Sequence, residues 1–223
     1  RVLFRSTVMK KTMTGLLAAA VTTGLLGMSS AYAYEKGDFI ARAGAAGVYP
    51  NDESEDIAGL GKVEADDAWS LGLTFGYMVT DNIGVGLLGA YPFEHDIDGS
   101  SGALDDLGTV AETKHLPPTL TLQYHFDLAN KHVHPFLGAG VNYTYFFDEE
   151  TKGALDGTSI DIDDSWGWAL EAGMDYEFDN NWLIGAQVFY INIETQAKLG
   201  ATGQKHDVDI NPWVFMLSVG RKF

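Results

Sequence analysis

The chain has 223 residues, 14 basic and 31 acidic, a net charge of −17 at pH 7 and no cysteine. So acidic a chain repels nucleic acid and attracts divalent cations, so no nucleic-acid role is expected. The lack of cysteine excludes a disulfide framework. The length suits one domain, and beyond residue 33 there is no run of about 18 apolar residues, which argues against a spanning helix.

Residues 1–33 read as an export signal. Arg1, Arg5, Lys10 and Lys11 precede an apolar stretch over 16–26, and Ala31-Tyr32-Ala33 is a small-x-small cleavage pattern. On this reading Met9 is the natural start, residues 1–8 are an extension, and the folded domain runs from 34 to 223. That is 223 less 33, or 190 residues, and losing four basic residues carries the charge from −17 to −21.

Residues 39–49 are the first predicted strand, with Phe39, Ala41, Ala43, Ala45 and Tyr49 on one face and Arg42 on the other. Its two end aromatics are ten positions apart. At about 3.3 Å rise and about 40° tilt they lie roughly 25 Å apart along a membrane normal, the height of a barrel's apolar band. After an acidic loop over 50–67, Trp69, Leu71, Leu73, Phe75, Tyr77 and Val79 alternate with Ser70, Gly72, Thr74, Gly76 and Met78. Asp81-Asn82 is a tight turn. The return strand over 83–93 puts Ile83, Val85, Leu87, Tyr91 and Phe93 outside, and Gly84, Gly86, Leu88, Ala90 and Pro92 inside. A polar loop over 94–113 leads to KHLPPTLTLQYHF at 114–126. There Leu116, Leu120, Leu122, Tyr124 and Phe126 share a face against His115, Thr119, Thr121, Gln123 and His125.

A short connection precedes the fifth strand, 135–147, with Leu137, Val141, Tyr143, Tyr145 and Phe147 outside. The third long loop covers 148–164. Over 165–178 Trp166, Trp168, Leu170, Met174 and Tyr176 oppose Glu171, Asp175 and Glu177, so the carboxylates keep to one parity. A tight turn at 179–181 leads to 182–193, which places Trp182, Ile184, Val188 and Tyr190 outside and Gln187, Phe189 and Ile191 inside. The fourth long loop covers 194–209, and the last strand runs to Phe223.

Eight strands joined alternately by long loops and short turns describe an all-β fold, an eight-stranded antiparallel up-and-down transmembrane β-barrel with long extracellular loops and short periplasmic turns. A lipocalin-like soluble barrel also has eight strands, but its apolar face points inward. Here the apolar faces of the second, fourth, fifth and sixth strands carry no charge, which suits lipid.

The chain resembles the OmpW family of outer-membrane proteins. The resemblance is carried by LGLTFGYMVTDNIGVGLL at 71–88, HLPPTL at 115–120, PFLGAGVNYTYFFD at 135–148, DSWGWALEAGMDY at 164–176 and DINPWVFMLSVGRKF at 209–223, which cover most of the exported chain. It implies an eight-stranded barrel in the outer membrane of a Gram-negative bacterium, with a narrow, rather hydrophobic lumen passing small hydrophobic molecules. One departure is Arg221, where an aromatic or apolar residue is expected; near the periplasmic end it can snorkel.

Eight strands enclose no porin-like aqueous pore. Inward glycines, including Gly72, Gly76, Gly84, Gly86, Gly138, Gly173 and Gly185, are expected to leave a cavity, into which parity places Leu88, Phe189 and Ile191. These three are read as a constriction between an outer apolar chamber and a polar periplasmic half lined by Arg42, Gln123, Glu171, Asp175 and Glu177. Filling alone is the alternative role. Pro92, Pro117 and Pro118 each withhold a backbone donor near the outer ends of two neighbouring strands. They mark a lateral seam through which an apolar ligand leaves into the membrane, or only a structural kink.

Acidic runs such as Asp52, Glu53, Glu55 and Asp56, or Asp148, Glu149 and Glu150, are solvated surface or hold divalent cations shared with lipopolysaccharide. Asp161, Asp163 and Asp164 lack the spacing and glycine of a calcium loop. No histidine pair has metal-ligand spacing, and no nucleophile, base and orienting acid are grouped, so no metal, cofactor or catalytic site is expected and the chain is not read as an enzyme. Phe223, a terminal aromatic on an outward face, resembles the signal read by the barrel-assembly machinery. The expected function is transport of small, mainly hydrophobic compounds. The alternative is a sealed structural or surface barrel serving envelope integrity, adhesion or phage attachment.

Overall fold

The computed structural model describes residues 34–51, 53–54, 62–102, 108–153, 156–178, 180–200 and 205–223. Residues 1–33, expected to be an export signal, and the acidic residues Asp52, Glu55 and Asp56 lie outside the described residues.

The strands in chain order are β1 (Phe39–Tyr49), β2 (Glu53–Ser54), β3 (Val63–Ala65), β4 (Ala68–Met78) and β5 (Ile83–Ala90). Next come β6 (Phe93–Gly99), β7 (Thr109–Leu116), β8 (Thr119–His125), β9 (Val133–Thr151) and β10 (Ile160–Ile162). The chain ends with β11 (Ser165–Glu177), β12 (Trp182–Ile191), β13 (Glu194–Leu199), β14 (Lys205–Asp209) and β15 (Trp213–Lys222). Eight of these make the wall in the order β1-β4-β5-β8-β9-β11-β12-β15, all antiparallel, and β15 pairs back onto β1 over ten registered residues. Closure lets every strand meet two neighbours, the condition for carrying a β-sheet through hydrocarbon. Reciprocal Phe39 and Phe223 backbone bonds of 3.1 and 2.8 Å join the first strand to the end of the last.

Alternation decides which side of the wall each residue takes. Leu71, Phe75, Leu87, Leu122, Val141, Leu170 and Ile184 are exposed on the outside. Rings collect at both rims. Phe39 packs on Phe75 and Phe223 at the end holding the short turns, and Tyr49, Trp69, Phe215, Tyr190 and Trp213 cluster at the other. Arg221 stands outward with its guanidinium 5.8 Å from the Trp182 ring and 5.4 Å from that of Phe223, so aromatic faces shelter its charge.

Much of what reads as long polar loop is itself sheet. β6 and β7 form a ribbon that adds β3 on its far edge and joins the upper part of β9, and β10, β13, β14 and β2 form a second, four-stranded sheet. The predicted third strand stops at Ala90, and the fourth is interrupted between Leu116 and Thr119. Tyr91 is 72% exposed, yet Phe93, two residues on and expected outside, is 2% exposed. The chain leaves the ladder at Tyr91-Pro92 because proline cannot donate to it, and pairing resumes with the parity reversed.

Candidate functional site

The lumen is stacked in layers. At the periplasmic end Tyr34, Ile40, Met78 and Leu183 form an apolar cluster. The Tyr34 ring stacks on His134 at 4.4 Å and meets His125 edge-on at 5.2 Å. Glu177, at the mouth, lies 2.9 Å from His134 Nε2 and 2.8 Å from Lys222 Nζ.

Above it, Arg42 on β1 makes a two-pronged contact with Asp175 on β11. Its Nε donates to Oδ1 at 2.9 Å, a second guanidinium nitrogen reaches Oδ2, and the Tyr34 hydroxyl donates to Oδ2 at 2.8 Å. Both charged side chains are buried, so the fork supplies the hydrogen bonds that water would otherwise make. The next layer centres on Glu171. Its Oε2 accepts from Thr121 Oγ1 (2.7 Å) and Gln123 Nε2 (2.8 Å), and its Oε1 accepts from Gln187 Nε2 (3.0 Å). Thr74 Oγ1 in turn donates to Gln187 at 3.3 Å, so β4, β8, β11 and β12 are tied across the lumen.

The glycines have a different role from the one expected. A Cβ on Gly86 would stand 2.2 Å from Gln123 Nε2, one on Gly185 2.5 Å from Asp175 Oδ1, and one on Gly173 2.2 Å from the Phe136 ring. These small residues leave no cavity in the periplasmic half; long side chains from other strands lie over them.

Toward the outside the lining becomes apolar. Leu88, Phe189 and Ile191 are buried in one cluster with Ala46, Val48, Phe93, Phe146, Val214 and Met216. Arg42, Gln123, Glu171 and Asp175 lie in the polar layers beneath. The chain thus brings the expected constriction and polar residues into adjoining layers, with Glu177 set apart at the mouth. Parity identified those inward positions and placed His125 inward as well, but it gave no role to His125 or His134 and did not reach Tyr34. The two histidines lie on predicted inward or connecting positions, whereas Tyr34 precedes any strand and carries no periodicity.

Pro92, Pro117 and Pro118 flank a break in the ladder of the wall. β5 pairs with β8 only as far as Leu88 opposite Thr119, and pairing resumes between Phe93 and His115. Its two lips are bonded away from each other. Tyr91 N donates to Leu71 O at 2.9 Å, while the Pro118 carbonyl accepts from Tyr143 N (3.1 Å) and Asn142 Nδ2 (3.3 Å) and the Pro117 carbonyl from Thr119 Oγ1 (3.0 Å). A Cβ on Gly89 would meet no atom within 4 Å.

On the extracellular side Asp163, Asp164, Glu194, Asp207 and Asp209 line an open acidic groove of about 660 Å³. Lys198 and Lys205 lie 3.1 and 2.7 Å from Asp163 and hold its carboxyl below its ordinary range. Among the described residues no group of three or more His, Cys, Asp or Glu has metal-binding geometry.

A closed antiparallel wall, apolar outside and rimmed by aromatic rings, with a polar buried interior, defines an integral outer-membrane barrel with its long connections outside the cell. The sequence model described as OmpW family matches residues 35–223, and the chain belongs to that family. It is 46% identical over 223 residues to outer membrane protein W of Vibrio cholerae serotype O1, covering 96% of this chain and 100% of that protein. Identity to outer membrane protein AlkL of Ectopseudomonas oleovorans is 33% over 199 residues, covering 85% and 83%. Among solved structures it is similar to the crystal structure of OprG from Pseudomonas aeruginosa, with TM-score 0.77 and 41% identity over 85% of this chain and 97% of that one.

Proposed function

We propose that the barrel admits small, mainly hydrophobic molecules from outside into the chamber lined by Leu88, Phe189 and Ile191, and releases them sideways through the seam at Pro92, Pro117 and Pro118. The observation that carries this reading is the coincidence of three features. The side chains around Leu88, Phe189 and Ile191 form an apolar cluster, the layer beneath it is filled by a hydrogen-bonded polar network, and the ladder breaks at the cluster's own level, next to Leu88. An apolar molecule crossing Arg42, Asp175 and Glu171 would strip partners from buried charges, whereas leaving toward lipid costs no such contact. A relative named as a dibenzothiophene metabolism operon protein, PahQ of Pseudomonas aeruginosa, is 28% identical over 165 residues, covering 73% of this chain and 75% of that protein. Dibenzothiophene is a flat apolar heterocycle of the kind such a chamber would take.

The test compares the rate at which the apolar fluorophore N-phenylnaphthylamine enters cells with and without the protein, for wild type and for Leu88→Ala with Phe189→Ala. The expected outcome is faster uptake with wild type and faster still with the widened chamber, while ion conductance in planar bilayers stays low in both. Equal uptake with and without the protein would leave a sealed barrel. The acidic groove around Asp163 and Asp207 would then be the functional part, as a surface or envelope-stabilising structure sharing cations with lipopolysaccharide.

A further inference from the structure

Above the chamber, the inner face of the β6–β7 ribbon holds a group of side chains that neither closure of the wall nor the apolar route requires. Phe93 opposes His115 and His95 opposes Thr113 across the ladder, and all four are buried. The His115 ring lies 4.9 Å from His95, 5.6 Å from Phe93 and 5.8 Å from Phe146, centroid to centroid, so the group continues the chamber wall outward. His95 Nδ1 is 2.6 Å from the main-chain carbonyl oxygen of Asp66. A carbonyl only accepts, so Nδ1 carries the proton and Nε2 is a bare acceptor. Among the described residues this Nε2 is buried without a partner, and so is the Thr113 hydroxyl opposite it. Burial holds His95 below its ordinary value and pushes His115 down to about 3, which agrees with two neutral rings.

A buried acceptor and a buried hydroxyl stand without partners among the described residues, about 5 Å apart at their Cβ atoms. A ligand group that reaches both supplies the hydrogen bonds they lack. We infer that His95 and Thr113 form a recognition station for a neutral hydroxyl: an alkanol or phenol donates its O–H to His95 Nε2 and accepts from Thr113 Oγ1. Its tail runs down past Phe93 and Phe146 toward Leu88 and Phe189. The station rests on the reading of the chamber as an apolar binding site and names the class of molecule it takes. A carboxylate would set its lone pairs against that of Nε2 and its charge near Asp67 and Asp66, so an alkanol is preferred over an alkane and an alkane over an alkanoate.

The test uses the refolded protein in phospholipid nanodiscs at pH 7.5, with ¹⁵N-labelled histidine, titrated with 1-octanol, n-octane and octanoate. Octanol is expected to shift the His95 Nε2 resonance saturably and to bind about five- to tenfold tighter than octane, the effect of one or two hydrogen bonds, with octanoate weakest. His95→Phe and the shape-conserving Thr113→Val should each bring octanol down toward the affinity of octane while leaving octane unchanged. Equal affinities for octanol and octane in the wild type, or an octanol affinity untouched by both substitutions, would overturn the station and leave the chamber standing. If octane does not bind saturably either, the chamber and the station fall together.

Discussion

At the scale of single residues, the pair that most depends on its surroundings is Arg42 and Asp175. Each is buried and each is the other's counter-charge. Arg42→Ala leaves Asp175 as an uncompensated buried charge and should cost about 3–5 kcal/mol in urea unfolding of the refolded protein. Arg42→Met combined with Asp175→Leu should cost clearly less, because it removes both charges together; a double variant as unstable as the single one would contradict this. Parity placed Arg42, Gln123, Glu171 and Asp175 on inner faces, but period two says nothing of which strand faces which across a lumen. Hence the Arg42–Asp175 fork and the donors gathered on Glu171 were not legible, and Tyr34, outside any strand, was invisible.

At the scale of elements, the prolines act on the ladder. Pro117 and Pro118 cannot donate, the Pro118 carbonyl is drawn toward β9 by Asn142 and Tyr143, that of Pro117 accepts locally from Thr119, and Tyr91 is bonded toward β4. Restoring donors with Pro117→Thr and Pro118→Thr should extend the β5–β8 pairing past Leu88, slow amide exchange at residues 89–91 and lower uptake of apolar probes by severalfold. Unchanged uptake in a variant whose amides have become protected would exclude the seam as the exit. The same break explains why Phe93 was assigned to the wrong face. Alternation extrapolates only while the chain stays in register, and one residue's slip at Tyr91-Pro92 exchanges inside for outside. The polar composition of the long connections likewise hid their strands, because ribbons standing in water need no apolar outer face.

At the scale of the whole molecule, closure joins chain ends that are far apart in sequence. Phe223 is outward, pairs its backbone with Phe39 and packs against that ring. If it is also the residue read during assembly, deleting it should lower the amount inserted in the outer membrane more than it lowers the stability of refolded protein. Equal losses would assign it to the aromatic rim alone. The number of wall strands, their order, the lipid-facing residues except at Phe93 and the side on which the long connections lie were legible in the sequence, because lipid imposes a strict alternation and the chain runs up and down between neighbours. Only the tertiary structure decided what fills the lumen, where the wall's ladder is interrupted and which buried histidine nitrogens are left without a partner among the described residues. Those depend on side chains from non-adjacent strands meeting at one height, a relation set by the tilt and stagger of a closed wall.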